Sequence, residues 1–472
     1  MNDVLHRFVG PVALGLLVMA CGTESTTNPD ENPGQSDTDP TTAPSTDPAE
    51  ETPLPDYQGD ADDDASFLFN SDEILTFEID VDPANMAILD ADPVAEEYVP
   101  ATLRYQGEEF SDVGLRYKGS IGSFVGCTEV FGFPPSGAKT CPKLSMKVKV
   151  NYTDNGLRFH GLKKLQFHAM NSDETQLREM LSYYLFRAMG IPAPRTVPMR
   201  LLINGEMAGV FLLVEQIDGR FTRSRFGDGG KGNLYKEIWP MYSDDAPYIS
   251  ALETNEDENP SVEKVQRFRQ ALDDATSTEE LVAVSDSWID RQYIMNFLAV
   301  DRSIVNDDGS MHWYCNSYGQ GVEACSPHNF FWYEDTKADK MWLVPWDTDL
   351  TFRESHVTSI PAVWNDDNPE CLSDFASLGM YIPPNCDPLI SAWASLKDDY
   401  AKALRVLLDG PFAAGNVATL LDGWQEQMAA AVAEAHAVNG EQIDPDRWNS
   451  NIEAFKVDTY RRRSAVEDLA AP

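Results

Sequence analysis

The stretch from Thr23 to Asp56 sets the first limit on what this chain can fold into. It consists of Thr, Ser, Pro, Asp, Glu, Asn and Gly with almost nothing apolar. Such a segment cannot bury enough surface to offset the entropy of ordering it, so any core has to be built downstream. Proline and like charge extend it, and it reads as a tether. No Lys or Arg occurs between Arg7 and Arg104.

Ahead of the tether, Phe8 to Ala20 is apolar apart from Gly10, Pro11 and Gly15. The run is too short to cross a bilayer as a helix, which takes about 20 residues, and has the form of a signal-peptide core. It ends Leu17-Val18-Met19-Ala20-Cys21, which resembles a bacterial lipobox. That resemblance implies cleavage before Cys21 and lipid on the new N-terminus. The expected organisation is a signal peptide at 1–20, a lipid-anchored tether at 21–60, a β-rich lobe at 61–215 and a helical lobe at 216–472. The expected location is outside the cytoplasm, attached to a bacterial membrane or cell surface through the lipid.

The remaining cysteines agree with export. Of seven, setting Cys21 aside leaves Cys127, Cys141, Cys315, Cys325, Cys371 and Cys386, in three sequential pairs with short separations. An even number in an exported chain points to disulfides, and the clustering favours Cys127–Cys141, Cys315–Cys325 and Cys371–Cys386. Zinc is the rival, but no pair has C-x₂-C spacing and there is no H-E-x-x-H. The charge balance, 36 Lys+Arg against 77 Asp+Glu for a net of -41, excludes nucleic acid as a natural partner, because phosphate binding needs clustered cations. The same balance suits metal cations and basic peptides.

The patterning divides. Phe67-Leu68-Phe69, Leu75 to Val81, Ala101 to Tyr105, Val113 to Lys118 and Leu144 to Val150 alternate as strands. In the last of these Lys147 and Lys149 share one face, opposite Met146, Val148 and Val150. A helix follows, capped by Ser172 or Asp173, with Leu177, Met180, Leu181, Tyr184, Leu185 and Ala188 along one stripe and Gly190 and Pro192 at its end. Asn204-Gly205 joins a hairpin. Ile289, Tyr293, Phe297, Val300 and Ile304 line a second helix. Phe330 to Tyr333 and Met341 to Val344 form a strand pair, and Ser391 to Ala470 is helix-rich. This is an α+β arrangement in two lobes.

Chemistry concentrates in Asp308, Asn329, Asp347 and Asp349. Carboxylates and a carboxamide are hard oxygen ligands suited to Mg²⁺, Mn²⁺ or Ca²⁺, and Asp347 and Asp349 could face one ion. Lys118, Lys143, Lys147 and Lys149 could touch phosphate or form a solvated strand face. Gly227 to Gly232 matches neither a P-loop nor a Rossmann fingerprint and reads as a flexible loop. The seven His are scattered and read as structural.

These segments, in this order, resemble the CotH family of atypical protein kinases. The match runs through Tyr98 to Thr102, Val113 to Ser120, Leu177-Arg178-Glu179 to Gly190, Ile203 to Asp218 with Asn233 to Lys236, and Asn306 to Gly309, His328 to Phe331 and Val344 to Phe352. The resemblance implies a two-lobed atypical protein-kinase-like fold, β-rich then helix-rich, with ATP and Mg²⁺ or Mn²⁺ between the lobes. It implies Asp308 as the catalytic aspartate, Asp347 as the metal aspartate with Asn329 and Asp349 beside it, and Glu215, near the lobe junction, as a cofactor-binding residue. Lys147 becomes the phosphate-facing lysine, with Lys118 and Lys149 as alternatives. The implied activity is transfer of phosphate from ATP to Ser or Thr of an exported protein. Asp301, a nearby acid outside every motif, is expected to affect neither nucleotide binding nor phosphoryl transfer. A non-catalytic surface scaffold and a calcium-stabilised adhesin on the same fold are the alternatives. H-R-D and D-F-G are absent, so ordinary kinase membership is not supported.

Overall fold

Seven strands close into a barrel in a computed structural model that describes residues 65–119, 121–124, 126–130, 134–256, 260–353, 364, 369–376, 379–438 and 444–470. The signal peptide, Cys21 and the tether lie outside the described residues. The strands are β1 (Leu75–Val81), β2 (Val99–Tyr105), β3 (Glu108–Tyr117), β4 (Met146–Lys149), β5 (Lys164–His168), β6 (Thr196–Ile203) and β7 (Glu206–Val214). Their order is β1-β2-β3-β4-β5-β7-β6, and β6 returns to β1 as the only parallel pair among the described barrel strands. Closure leaves no barrel edge unpaired.

The alternation read from the sequence becomes inside and outside. Phe77, Ile79, Leu103, Leu115, Val148, Phe167, Met199, Leu201, Phe211 and Leu213 are buried together in the barrel core. Strand β7 is apolar on both faces: Val210, Leu212 and Val214 enter a second, larger core. That core contains α1 (Arg178–Ala188), α2 (Arg291–Ser303) and the C-terminal helices α3 (Ala414–Val438) and α4 (Pro445–Ala470). Three further strands belong to it, β8 (Leu234–Lys236), β9 (Phe330–Asp335) and β10 (Lys340–Pro345), in the order β8-β9-β10. The chain is α+β, as expected.

Local chemistry explains the turns that matter. Asn204 and Gly205 both have positive φ, 53° and 81°, as the two-residue hairpin between β6 and β7 requires. Asn204 also accepts the Val81 N–H at 2.8 Å, tying the hairpin to the end of β1. The three proposed cysteine pairs are bonded as nearest neighbours. These disulfides fit an oxidising, extracellular setting. No helix among the described residues is long and apolar enough to cross a membrane.

Two readings need correction. Phe67 to Phe69 lies in a helix, Ser66–Phe69, with Leu68 buried. Three consecutive apolar residues fit one helical turn equally well, and the closed barrel has no strand position left for them. Gly227 to Gly232 is not a loose loop. Asp228 is buried and accepts hydrogen bonds from Tyr333 Oη, Thr336 N and Gly230 N. A Cβ on Gly232 would collide with the Glu334 carbonyl, so the glycine serves close backbone approach.

Candidate active site

The acidic residues converge where the turn after α2 and the turn after β10 meet the ends of β3 and β5. The first turn leaves α2 at Ile304 and carries Asp308. Val305, β-branched, sits at φ 53°, a conformation its side chain disfavours by about 1–3 kcal/mol. Three contacts hold the turn. Phe352 N–H donates to the Ile304 carbonyl at 2.7 Å, and Arg462 of α4 donates to the carbonyls of Arg302 at 2.5 Å and Ser303 at 2.9 Å. A guanidinium at a helix C-terminus satisfies orphan carbonyls and complements the dipole.

Asp308 has both oxygens engaged. Tyr314 Oη donates to Oδ1 at 2.8 Å, and Asn329 Nδ2 donates to Oδ2 at 2.9 Å and to the Asp308 carbonyl at 2.8 Å. Burial, the larger cause, and nearby Asp347 raise its carboxyl pKa, against the lowering effect of these bonds. Asn329 (φ 56°) and Asp347 (φ 52°) both adopt left-handed backbone at the same end of the antiparallel β9–β10 pair, where Phe330 faces Pro345. Trp346 N–H donates to the Asn329 carbonyl, and Asp347 N–H donates to Tyr183 Oη of α1 at 2.9 Å. Asp349 is raised well above an ordinary carboxylate by burial and then by Asp347, Glu179 and Asp308.

The third side is a chain of buried polar groups. Lys118, just past β3, places Nζ 2.6 Å from His168 Nε2 at the end of β5. His168 Nδ1 lies 2.9 and 3.0 Å from the two oxygens of Glu179 in the first turn of α1. Burial and then Lys118 lower the His168 pKa well below its ordinary value, so the ring is neutral. In that state Nδ1–H donates to Glu179 and Nε2 accepts from Lys118, a tautomer assigned from its partners. Burial lowers Lys118, while Asp347 and Glu179 oppose the shift. Trp346 covers the pair, with Lys118 Nζ 5.4 Å from its ring centroid. Ligand atoms of His168, Glu179 and Asp347 lie within 4.8 Å of one another.

Burial and the neighbouring Asp347 thus raise Glu179, Asp308 and Asp349, with Lys118 opposing the shift at Glu179 and Arg353 opposing it at Asp349. A hard divalent cation fits this donor set, because it would relieve the repulsion that burial makes expensive.

Asp308, Asn329, Asp347, Asp349 and Lys118 therefore come together. Lys147 sits on the outer sheet face opposite Arg116 and Gln166, where burial, Lys164, Lys118 and Arg116 bring it down to about 7. Lys149 lies against Tyr98, and Lys143 is buried with Nζ donating to the Val210 carbonyl. Glu215 goes elsewhere. Its carboxylate is clasped by Arg195 and Arg225, each at 2.7 Å. Burial alone would raise it, but the two guanidinium groups hold it at about 2. Its bonds are those of a structural ion-pair hub at the junction. Asp301 is likewise tied into the fold. It is fully buried, bonded to Arg302 and to Asn306 Nδ2, and its loss would strand a buried guanidinium.

Sequence reasoning overlooked His168 and Glu179. Glu179 stood inside the quoted Leu177-Arg178-Glu179 segment without a role. His168 carried no spacing signal, because its partners lie on β3 and α1.

A model of the family described as CotH kinase protein matches residues 115–465. No curated protein matches the chain. Among solved structures, the Shewanella oneidensis MR-1 toxin–antitoxin complex of HipA, HipB and operator DNA contains a similar chain. It is 13% identical, the match covers 66% of this chain and 61% of that one, and the TM-score is 0.26.

Proposed function

Because the chain belongs to the CotH kinase family, we propose that it transfers the γ-phosphoryl group of ATP to a Ser or Thr hydroxyl of an exported protein. The supporting observation is the buried convergence of Asp308, Asp347 and Asp349 with the Lys118–His168–Glu179 chain. Asp308, oriented by Tyr314 and Asn329, accepts the proton of the acceptor hydroxyl. The new bond joins that oxygen to the γ-phosphorus, the bond to the β–γ bridging oxygen breaks, and ADP leaves. Asp347 and Asp349 would hold Mg²⁺ or Mn²⁺, which supplies neutralisation of the triphosphate charge when bound.

Lys118, rather than Lys147, takes the phosphate-facing role in this reading, since Asp347 is its strongest attractive neighbour. Glu179 and His168 hold it there. In ordinary kinases a Lys–Glu ion pair does this work, and here an imidazole stands between the two. The lipobox-like Cys21 would keep the enzyme at the membrane surface, with the exported substrate reached from the tether.

Titration calorimetry with a non-hydrolysable ATP analogue and Mg²⁺, followed by single-turnover assay, tests the reading. Asp347→Ala is expected to abolish metal-dependent nucleotide binding. Asp308→Ala should keep most of the affinity and lose transfer by about 10²-fold or more. Asp72→Ala, at an exposed acid, is the control. A wild-type chain that binds no nucleotide but melts higher in calcium would replace this reading with the calcium-stabilised adhesin.

A further inference from the structure

Beside the acidic site lies a cavity of about 470 Å³ between the start of α1 and the outer face of α4. Its lining includes Arg178, Arg353, Asn171, Ser172, Thr175 and Asn451. In a protein of net charge -41, two guanidinium groups facing one space stand out. Arg353 is depressed by burial first and by Arg178 second, so the two repel each other.

Nearby acids do not resolve that repulsion. Arg178 meets Asp173 Oδ1 only at 3.7 Å, and the carboxylate of Asp173 already accepts from Thr175 N, Thr175 Oγ1 and Arg178 N. Among the described residues Arg353 donates to the Ser172 carbonyl at 3.4 Å and forms no ion pair. The acids on the cavity wall point to other partners: Glu174 pairs with Arg447 and Asn451, and Asp458 with Arg461. A planar, bidentate donor pair with spare N–H groups matches a carboxylate or phosphoryl group.

The position specifies what brings that anion. Arg353 follows Asp349 by one turn of chain, and its electrostatic neighbours include Asp349 and Asp308. A group held in the cavity is therefore a few residues along an extended peptide whose hydroxyl reaches Asp308.

We propose that the cavity is a specificity pocket for an acidic side chain, Asp, Glu or an already phosphorylated Ser, flanking the phosphoacceptor of the protein substrate. This rests on the kinase reading for the identity of the acceptor, but the anion site itself does not. In the kinase reading Lys118 serves the nucleotide, so the two anionic ligands of the reaction have separate cationic seats. The acidic surface elsewhere would repel the same peptide, which confines its approach to this cavity.

The test uses the full chain with Mg²⁺ and a non-hydrolysable ATP analogue. Fluorescence anisotropy compares labelled Ser-containing peptides carrying Asp, phosphoserine, Ala or Lys at positions flanking the acceptor, and transfer from ATP is measured in parallel. Wild type is expected to bind the Asp and phosphoserine peptides at least about tenfold more tightly than the Ala peptide. Arg353→Glu should reverse the order in favour of Lys, and Arg353→Gln, which keeps a donor for Ser172, should erase the preference if the reversed charge does not fold. Equal binding of Asp and Ala peptides by wild type overturns the pocket, as does a preference unchanged in both variants. Neutral peptides phosphorylated as efficiently as acidic ones overturn the pocket and leave the kinase reading standing. Acidic peptides bound selectively but never phosphorylated overturn the kinase reading and leave the anion site standing.

Discussion

Glu215 shows how a single buried carboxylate can be read in two ways. The family resemblance makes it a cofactor-binding candidate at the lobe junction, whereas the fold gives both its oxygens to Arg195 and Arg225. The consequence is a stability term with a defined sign. The folded pKa, about 2, lies below the ordinary 4.5, so the native state binds fewer protons than the unfolded chain between those values. The stabilisation, on the order of 3 kcal/mol, is complete above pH 4.5 and lost as pH falls through about 2. Glu215→Gln should therefore be less stable than wild type at neutral pH, with the gap closing in acid. Urea denaturation across this range checks it, and a gap that stays constant would refute the titration of Glu215 as its cause. His168 makes the opposite point. As one of seven scattered histidines it carried no signal, and its meaning came wholly from Lys118 on one side and Glu179 on the other.

At the scale of elements, patterning worked wherever one face of an element meets one core. The alternation in β1 to β4 and the Asn204-Gly205 turn were legible because barrel interiors and hairpins impose short-range rules. The C-terminal third was not legible in this way. Helices α3 and α4 announce themselves as helices, but nothing in their periodicity says that Arg462 reaches the carbonyl end of α2. There it closes the turn carrying Asp308, more than 150 residues earlier in the chain. Arg462→Met keeps the apolar stem and removes the donors. It should destabilise the fold by about 2–3 kcal/mol, since two buried carbonyls lose charge-assisted bonds. It should also lower kcat more than it raises KM for ATP, because Asp308 rather than Asp347 loses its support. Denaturation curves and steady-state kinetics on one preparation separate the two effects. A purely thermal loss with unchanged kcat would restrict Arg462 to a structural role.

For the whole molecule, export and anchoring are argued from two independent features, the three disulfides of the folded part and the lipobox-like end of the apolar run. Metabolic labelling with a fatty acid should mark the wild-type chain and not Cys21→Ser. Equal labelling of both would end the lipid-anchor proposal while leaving the oxidising compartment untouched. By itself the sequence determined what depends on neighbours along the chain: strand and helix periods, the two-residue turn, the short-range cysteine pairs and the segments that resemble the CotH family. It could also nominate Asp308, Asn329, Asp347 and Asp349, since those lie at the ends of patterned elements. Only the tertiary structure decided which lysine joins them, that a histidine links it to Glu179, that Glu215 and Asp301 serve the scaffold, and that Arg178 and Arg353 face one cavity. The physical reason is distance in the chain. Electrostatic partnership depends on separation in space and on shared burial, and pairs such as Lys118 with His168 or Arg462 with Ser303 become neighbours only after the barrel and the helical core have closed.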